Sequence, residues 1–257
     1  CIKRRFPGPW HAILCASMSV VRALFKAAVL PIIPVWTIAI HSDYAKVDLL
    51  LITEAGCPPC QEAITSRLDA LVSTDGLADI LNVVHHPFGN NYMSTEACGG
   101  WPYDSGRRRC WANTCVNVSS PPPDCFSGVI VTQHGQRERK VNMMQACALA
   151  EATSWQQYWP FLVCMEKHYE QSIGVEPAAA CAEESGLEFA HLMSCYDGPR
   201  GVIELIRHAS ATVDHDFTPY IAVNGMQVRE KYDLLEAVCA AYSGPEPSAC
   251  GGVQFGA

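Results

Sequence analysis

Apolar residues run nearly unbroken from Lys46 to Thr53, a stretch of strand length rich in branched side chains, and recur at helical spacing from Gln61 to Ser73. A second apolar run, Ile80 to Val84, ends in His85-His86-Pro87-Phe88-Gly89-Asn90, the punctuation of a strand entering a loop. The pattern then lapses. Asn91 to Ser127 carries Gly, Pro, Ser and Asn with four cysteines and the triplet Pro121-Pro122-Pro123, which is too little apolar pattern for a core and enough cysteine to be stapled. From Gln136 to about Ala211 the period is helical again, through Val141, Met144, Cys147 and Ala148, then Trp155, Trp159, Leu162 and Met165, then Leu187, Leu192 and Cys195, then Val202, Leu205 and Ile206. Gly174, Pro177, Gly186 and Gly198-Pro199 divide this block into four or five helices, and its Met and Trp stripe reads as packing between them. Thr218 to Gly225 restores a strand ending in a turn, Met226 to Val228 is its hairpin partner, and Tyr232 to Tyr242 closes with a helix. The order is strand, helix, strand, helical block, strand pair, helix, which is α/β.

With 257 residues, the chain is long enough for one domain carrying a large insertion, and a second full domain is not required. Its 14 cysteines place it in an oxidising lumen, since a reducing cytosol leaves thiols idle. A net charge of −8 argues against nucleic acid as partner, because phosphate binding needs a concentrated basic surface and the arginines are scattered apart from Arg107-Arg108-Arg109, which reads as a solvated loop. Lys3-Arg4-Arg5 and the uncharged run Ala27 to Ile40 fit a cleaved secretory signal over residues 1–42, the run being short of the ~20 residues that span a bilayer. The alternative is a signal anchor from Ile13 to Ile40, which Arg22, Lys26, Pro31 and Pro34 disfavour. No stable membrane association is expected once the signal is removed. Asn117-Val118-Ser119 is a glycosylation sequon, meaningful only in a secreted chain.

The chemistry concentrates at Cys57-Pro58-Pro59-Cys60, where the first strand hands over to a helix. At that junction unpaired N–H groups and the positive end of the helix dipole favour thiolate over thiol, so the motif reads as redox chemistry. Half a zinc site or an inert structural bridge are the other readings. Zinc needs four ligands, and neither a second Cys-x-x-Cys nor a His-x-x-x-His pair occurs, so no metal is expected. Pro58 suits the first helical position, whereas Pro59 removes a further donor that could face the Cys57 sulfur.

Strand, Cys-x-x-Cys helix, helical insertion and a Thr-Pro before the third strand together resemble the thioredoxin fold, and the detail resembles the gamma-interferon-inducible lysosomal thiol reductases. The matches run from about Lys46 to Cys250: the Cys57-to-Cys60 motif, Pro87-Phe88-Gly89-Asn90, Gln133-His134-Gly135 with Asn142 and Ala146-Cys147, Val163-Cys164-Met165-Glu166, Cys195 with Gly198 and Gly201, Pro219-Tyr220 with Val223-Asn224-Gly225, and Val238-Cys239 with Tyr242, Gly244 and Cys250. One departure stands out. The family signature has cysteine immediately before Gln-His-Gly and again seven residues on, where this chain has Thr132 and Arg139, as though one bridge had been lost.

The resemblance implies one thioredoxin-like domain over residues 43–250, with a cysteine-rich insert at 91–127, a helical insertion at 136–212 and a tail at 251–257. It implies reduction of disulfide-containing protein substrates in a lysosomal, vacuolar or other secretory lumen, or outside the cell, with a low-molecular-weight thiol as electron source. Cys57 carries over as the attacking thiolate and Cys60 as the resolving thiol, an exchange that needs no cofactor. Pro219 carries over as a cis proline facing the dithiol, with Thr218 offering its backbone to an extended substrate. His134 is set aside as more simply structural. An oxidase or isomerase of the same fold, and a non-enzymatic stapled binding protein, stay open. Setting aside Cys1, Cys15, Cys57 and Cys60 leaves ten cysteines, an even number, and the four of the insert are expected to pair only with one another. Deleting the insert is then expected to leave a folded reductase.

Overall fold

The computed structural model describes residues 44–229 and 234–251; the expected signal, nearly all of the tail and the first residues of the closing helix lie outside the described residues. Strand β1 (Val47–Thr53) is buried on both faces from Leu49 onward except for Leu50, which is why it reads as a continuous apolar run and not as an alternation. It is the centre of the sheet: β2 (Leu81–Pro87) runs parallel on one side, and β5 (Tyr220–Val223) runs antiparallel on the other, with β6 (Met226–Gln227) beyond it. Between β1 and β2 the chain crosses over through α1 (Pro58–Glu62), a π-helical stretch (Ala63–Leu68), α2 (Asp69–Val72) and α3 (Leu77–Ile80). A parallel pair needs such a crossover, and here it sets the N-terminus of α1 at the end of the central strand. The second strand outlasts its apolar run, because His85 is buried between Thr53 Oγ1 at 2.7 Å and the Tyr158 hydroxyl at 2.8 Å.

Five helices separate β2 from β5 after the insert: α5 (Gln136–Glu151), α6 (Trp155–His168), α7 (Ala178–Ser185), α8 (Phe189–Asp197) and α9 (Pro199–Ala211). Helix α5 lies against α8 and α9, and α6 against α7 and the π-helical stretch. Two bridges tie the block, Cys147–Cys195 and Cys164–Cys181, and Cys239–Cys250 ties α10 (Leu234–Ala241) to the segment after it. The architecture is a thioredoxin-like α/β fold with an inserted helical subdomain and a cysteine-rich loop. Among the described residues no helix is long and apolar enough to cross a membrane.

The insert departs from expectation in one respect. Its four cysteines do pair internally, as Cys98–Cys110 and Cys115–Cys125. It nevertheless has an apolar core, shared with the body: Tyr92, Met93, Trp111, Ala112, Cys115 and Cys125 pack with Phe88, Ala146, Leu205 and Ala209. Strand β3 (Tyr92–Met93) pairs antiparallel with β4 (Ile130–Val131). The arginine triplet is not a solvated loop either. It lies on helix α4 (Ser105–Cys115), whose N-cap Asp104 accepts from the Arg107 N–H, and Arg108 is buried with Nη1 donating to the His215 carbonyl. A low overall share of apolar residues hid a core that three or four large side chains suffice to build.

Candidate active site

Cys57 and Cys60 are the only free cysteines among the described residues, and both are buried, Cys57 at 5% exposure and Cys60 at 0%. Cys57 is the N-cap of α1, its carbonyl accepting from the Gln61 N–H at 3.0 Å. Because Pro58 and Pro59 carry no N–H, the first backbone donor that the Cys57 sulfur meets is that of Cys60. The Cys57 thiol is lowered to about 7, chiefly by hydrogen bonding from the Cys60 thiol and then from Thr218 and the Cys60 N–H, against burial and the Glu54 charge. Burial and the neighbouring Cys57 hold the Cys60 thiol far above its ordinary value. The two sulfurs are thus divided into one that ionises and one that keeps its proton.

Thr218 comes to the site from the loop before β5. Its hydroxyl lies 3.7 Å from Cys57 Sγ, and the Thr218–Pro219 peptide is cis. Cys57, Cys60 and Thr218 therefore meet, with Pro219 next in the chain. Asn117 does not belong to this cluster; it stands exposed just past α4, with φ 58°.

The sequence reading missed Glu54, which is 1% exposed and sits between the end of β1 and the dithiol. It accepts from the Asn90 N–H at 2.6 Å and from the Thr218 hydroxyl at 3.1 Å, and His134 Nε2 lies 3.5 Å from the same carboxylate. Asn90 Nδ2 donates to Thr218 Oγ1 at 3.2 Å and to Gln133 Oε1 at 2.9 Å. Glu138 of α5 accepts from the His134 N–H, and Asn142 links it back to the Ala55 N–H at 2.8 Å. Burial and then Glu54 raise the Glu138 carboxyl to about 8. A signal for this network exists in the sequence: Glu138, Asn142 and Gln145 stand at i, i+4 and i+7, one face of α5, and that face is buried.

Glu54, Cys57 and His134 bring one carboxylate oxygen, one sulfur and one ring nitrogen within 4.8 Å of one another. Three donors fall short of the closed tetrahedral set of a structural zinc site. Gly89 allows the close approach of Asn90 to Glu54: it adopts φ +53°, and a Cβ there would collide with the Glu54 side chain. Gly89→Ala is expected to destabilise the protein by about 1–3 kcal/mol through that clash and the strained φ, read as a lower midpoint in thermal unfolding.

A thioredoxin-like fold with a free Cys-x-x-Cys dithiol at the start of its first helix defines a thiol–disulfide oxidoreductase. Comparison with known proteins gives the particular likeness. Residues 123–185 match the family model "Gamma interferon inducible lysosomal thiol reductase (GILT)". The chain is 27% identical over 207 residues to a gamma-interferon-responsive lysosomal thiol protein of Arabidopsis thaliana, covering 77% of this chain and 72% of that one. It is 25% identical over 221 residues to a gamma-interferon-inducible lysosomal thiol reductase of Carassius auratus, covering 80% and 73%. The chain is thus similar to gamma-interferon-inducible lysosomal thiol reductases over about three quarters of its length. Among solved structures it is similar to the oxidoreductase DsbA from Xylella fastidiosa, with TM-score 0.41 and 14% identity over 76% of this chain and 81% of that one, a likeness too loose to bear on the site.

Proposed function

We propose that this oxidoreductase works in the reducing direction on protein disulfides in an acidic endosomal or lysosomal lumen, with Cys57 attacking, Cys60 resolving, and a low-molecular-weight thiol restoring the dithiol. The observation that carries this is the division of the dithiol, Cys57 lowered to about 7 and Cys60 held protonated, in a chain whose other described cysteines are all bridged. A thiol near 7 belongs with thioredoxin, at about −270 mV, and not with the strong oxidant DsbA, whose thiol ionises at about 3.5 and whose potential is about −120 mV. The five disulfides support an oxidising compartment for the scaffold. Thr218 and the cis Pro219 would receive an extended substrate segment, and Asn117, exposed, would carry the glycan.

An insulin-type disulfide reduction assay at acidic and neutral pH, together with the Cys57–Cys60 potential in a defined redox buffer, tests the proposal. Turnover at acidic pH and a potential nearer thioredoxin's than DsbA's are expected. Net oxidation of dithiol substrates, or absence of turnover in acid, sinks the reading.

A further inference from the structure

The dithiol motif does not by itself require Glu54 or His134, yet separate parts of the chain are spent on bringing them to Cys57. Glu54 immediately follows β1; His134 rides on the loop before α5, shaped at both ends by hydrogen bonds. Thr132 Oγ1 donates to the Gly135 carbonyl at 2.7 Å, the Gln133 N–H to Asn91 Oδ1 at 3.2 Å, and the His134 N–H to Glu138. The His134 side chain is 30% exposed, so it meets the buried carboxylate while staying open to solvent.

We propose that His134 is the charge and proton partner of Cys57, its imidazolium held against the Glu54 carboxylate, steadying the Cys57 thiolate in acid and protonating the thiolate that leaves the substrate. This rests on the reading of Cys57 as the attacking thiol. A thiol that ionises at about 7 is only about one per cent thiolate at pH 5, so a cation beside it matters most in acid. A cation within 4.8 Å of the sulfur favours the ionised form at the pH where the enzyme is proposed to work.

The groups that face His134 all push it toward the charged state. Glu54 from the end of β1 raises it most, Glu138 of α5 and Cys57 of α1 add to that, and partial burial opposes. Of their hydrogen-bonded neighbours, Asn90, Gln133, Thr218 and Asn142 do not titrate, while Arg108, His215 and Tyr103 couple electrostatically to Glu54. Burial and then Glu54 raise the Glu138 carboxyl, and Glu54 is the acid that meets the ring, its Oε1 3.5 Å from His134 Nε2.

The step balances as follows. Cys57 S⁻ attacks one sulfur of the substrate disulfide; the substrate S–S bond breaks, a Cys57–substrate S–S bond forms, and the displaced thiolate takes a proton from the His134 imidazolium. Cys60 then attacks Cys57 Sγ, closing the Cys57–Cys60 disulfide and releasing the second substrate thiolate, which leaves with the proton that Cys60 loses. Two electrons and two protons pass from the enzyme to the substrate, and His134 is left neutral until the thiol reductant recharges the site.

The test is the rate of iodoacetamide alkylation of Cys57 in the reduced full chain from pH 4 to 8, for wild type and His134→Gln. The variant is expected to titrate about one pH unit higher and to react about tenfold more slowly at pH 5, the gap narrowing as pH rises. Superimposable profiles, or an equal slowing at every pH, would overturn the proposal. If the variant fails to fold, wild type alone decides: the ring titration of His134 followed by NMR should move down when Cys57 is alkylated, and an unmoved titration refutes the coupling. Neither readout uses a substrate, so each judges His134 separately from the direction of the reaction.

Discussion

Replacing Cys57 by Ser should reduce turnover to background, while Cys60→Ser should accumulate covalent mixed disulfides between Cys57 and substrate. The asymmetry comes from the site. Cys57 is the N-cap sulfur that hydrogen bonds from Cys60 and Thr218 keep ionisable, and a serine oxygen there can form no bond to a substrate sulfur. Cys60 is wholly buried one turn into the helix with its proton held, so it cannot meet a protein disulfide directly, and it acts once the attacked sulfur of Cys57 is presented to it. Without Cys60 the first exchange proceeds and the second does not. Non-reducing gels of both single variants after exposure to a disulfide substrate check this, and equal trapping by the two would reverse or dissolve the assignment.

The parts of this site visible in the sequence were those whose chemistry is written in residue type. Two cysteines three apart after an apolar strand announce a dithiol, and a Thr-Pro before a later strand announces its neighbour, because each signal is local. Glu54 was invisible for the opposite reason. A lone carboxylate beside a turn normally faces water, and only folding shows that the Asn90 N–H, the Thr218 hydroxyl and His134 surround it. The sequence matches at Pro87 to Asn90, at Gln133 to Asn142 and at Pro219 looked dispersed, yet the first two converge on that carboxylate. Helix boundaries of the block were readable from Gly and Pro, whereas the pairing of its cysteines was not, since which helices abut depends on contacts between residues tens of positions apart.

Deleting residues 91–127 should leave no folded reductase, contrary to what the cysteine pattern alone suggests. No disulfide crosses from the insert to the body, but the apolar packing does. Trp111 is 1% exposed, its ring 5.8 Å from that of Phe88, and its indole N–H reaches the Cys125 carbonyl at 3.1 Å. Phe88 immediately precedes Gly89 and Asn90, the residues that wrap Glu54, so the insert buttresses the dithiol pocket from behind. A second support runs from Arg108 to the His215 carbonyl, and His215 Nε2 contacts the Gly89 carbonyl at 3.1 Å, joining the insert to the stretch that leads into Thr218. Deletion would strip β4 of its partner strand and uncover Phe88, Ala146, Leu205 and Ala209 together. The milder test is Trp111→Ala, a fully buried aromatic truncation that should cost about 3–5 kcal/mol and lower the unfolding midpoint by on the order of 10 °C. Part of that loss should appear locally, as faster alkylation of the buried Cys60 in the reduced protein. A deletion protein that keeps the wild-type midpoint and reduces insulin normally would show that the insert is an appendage and that the shared core carries little of the site's stability.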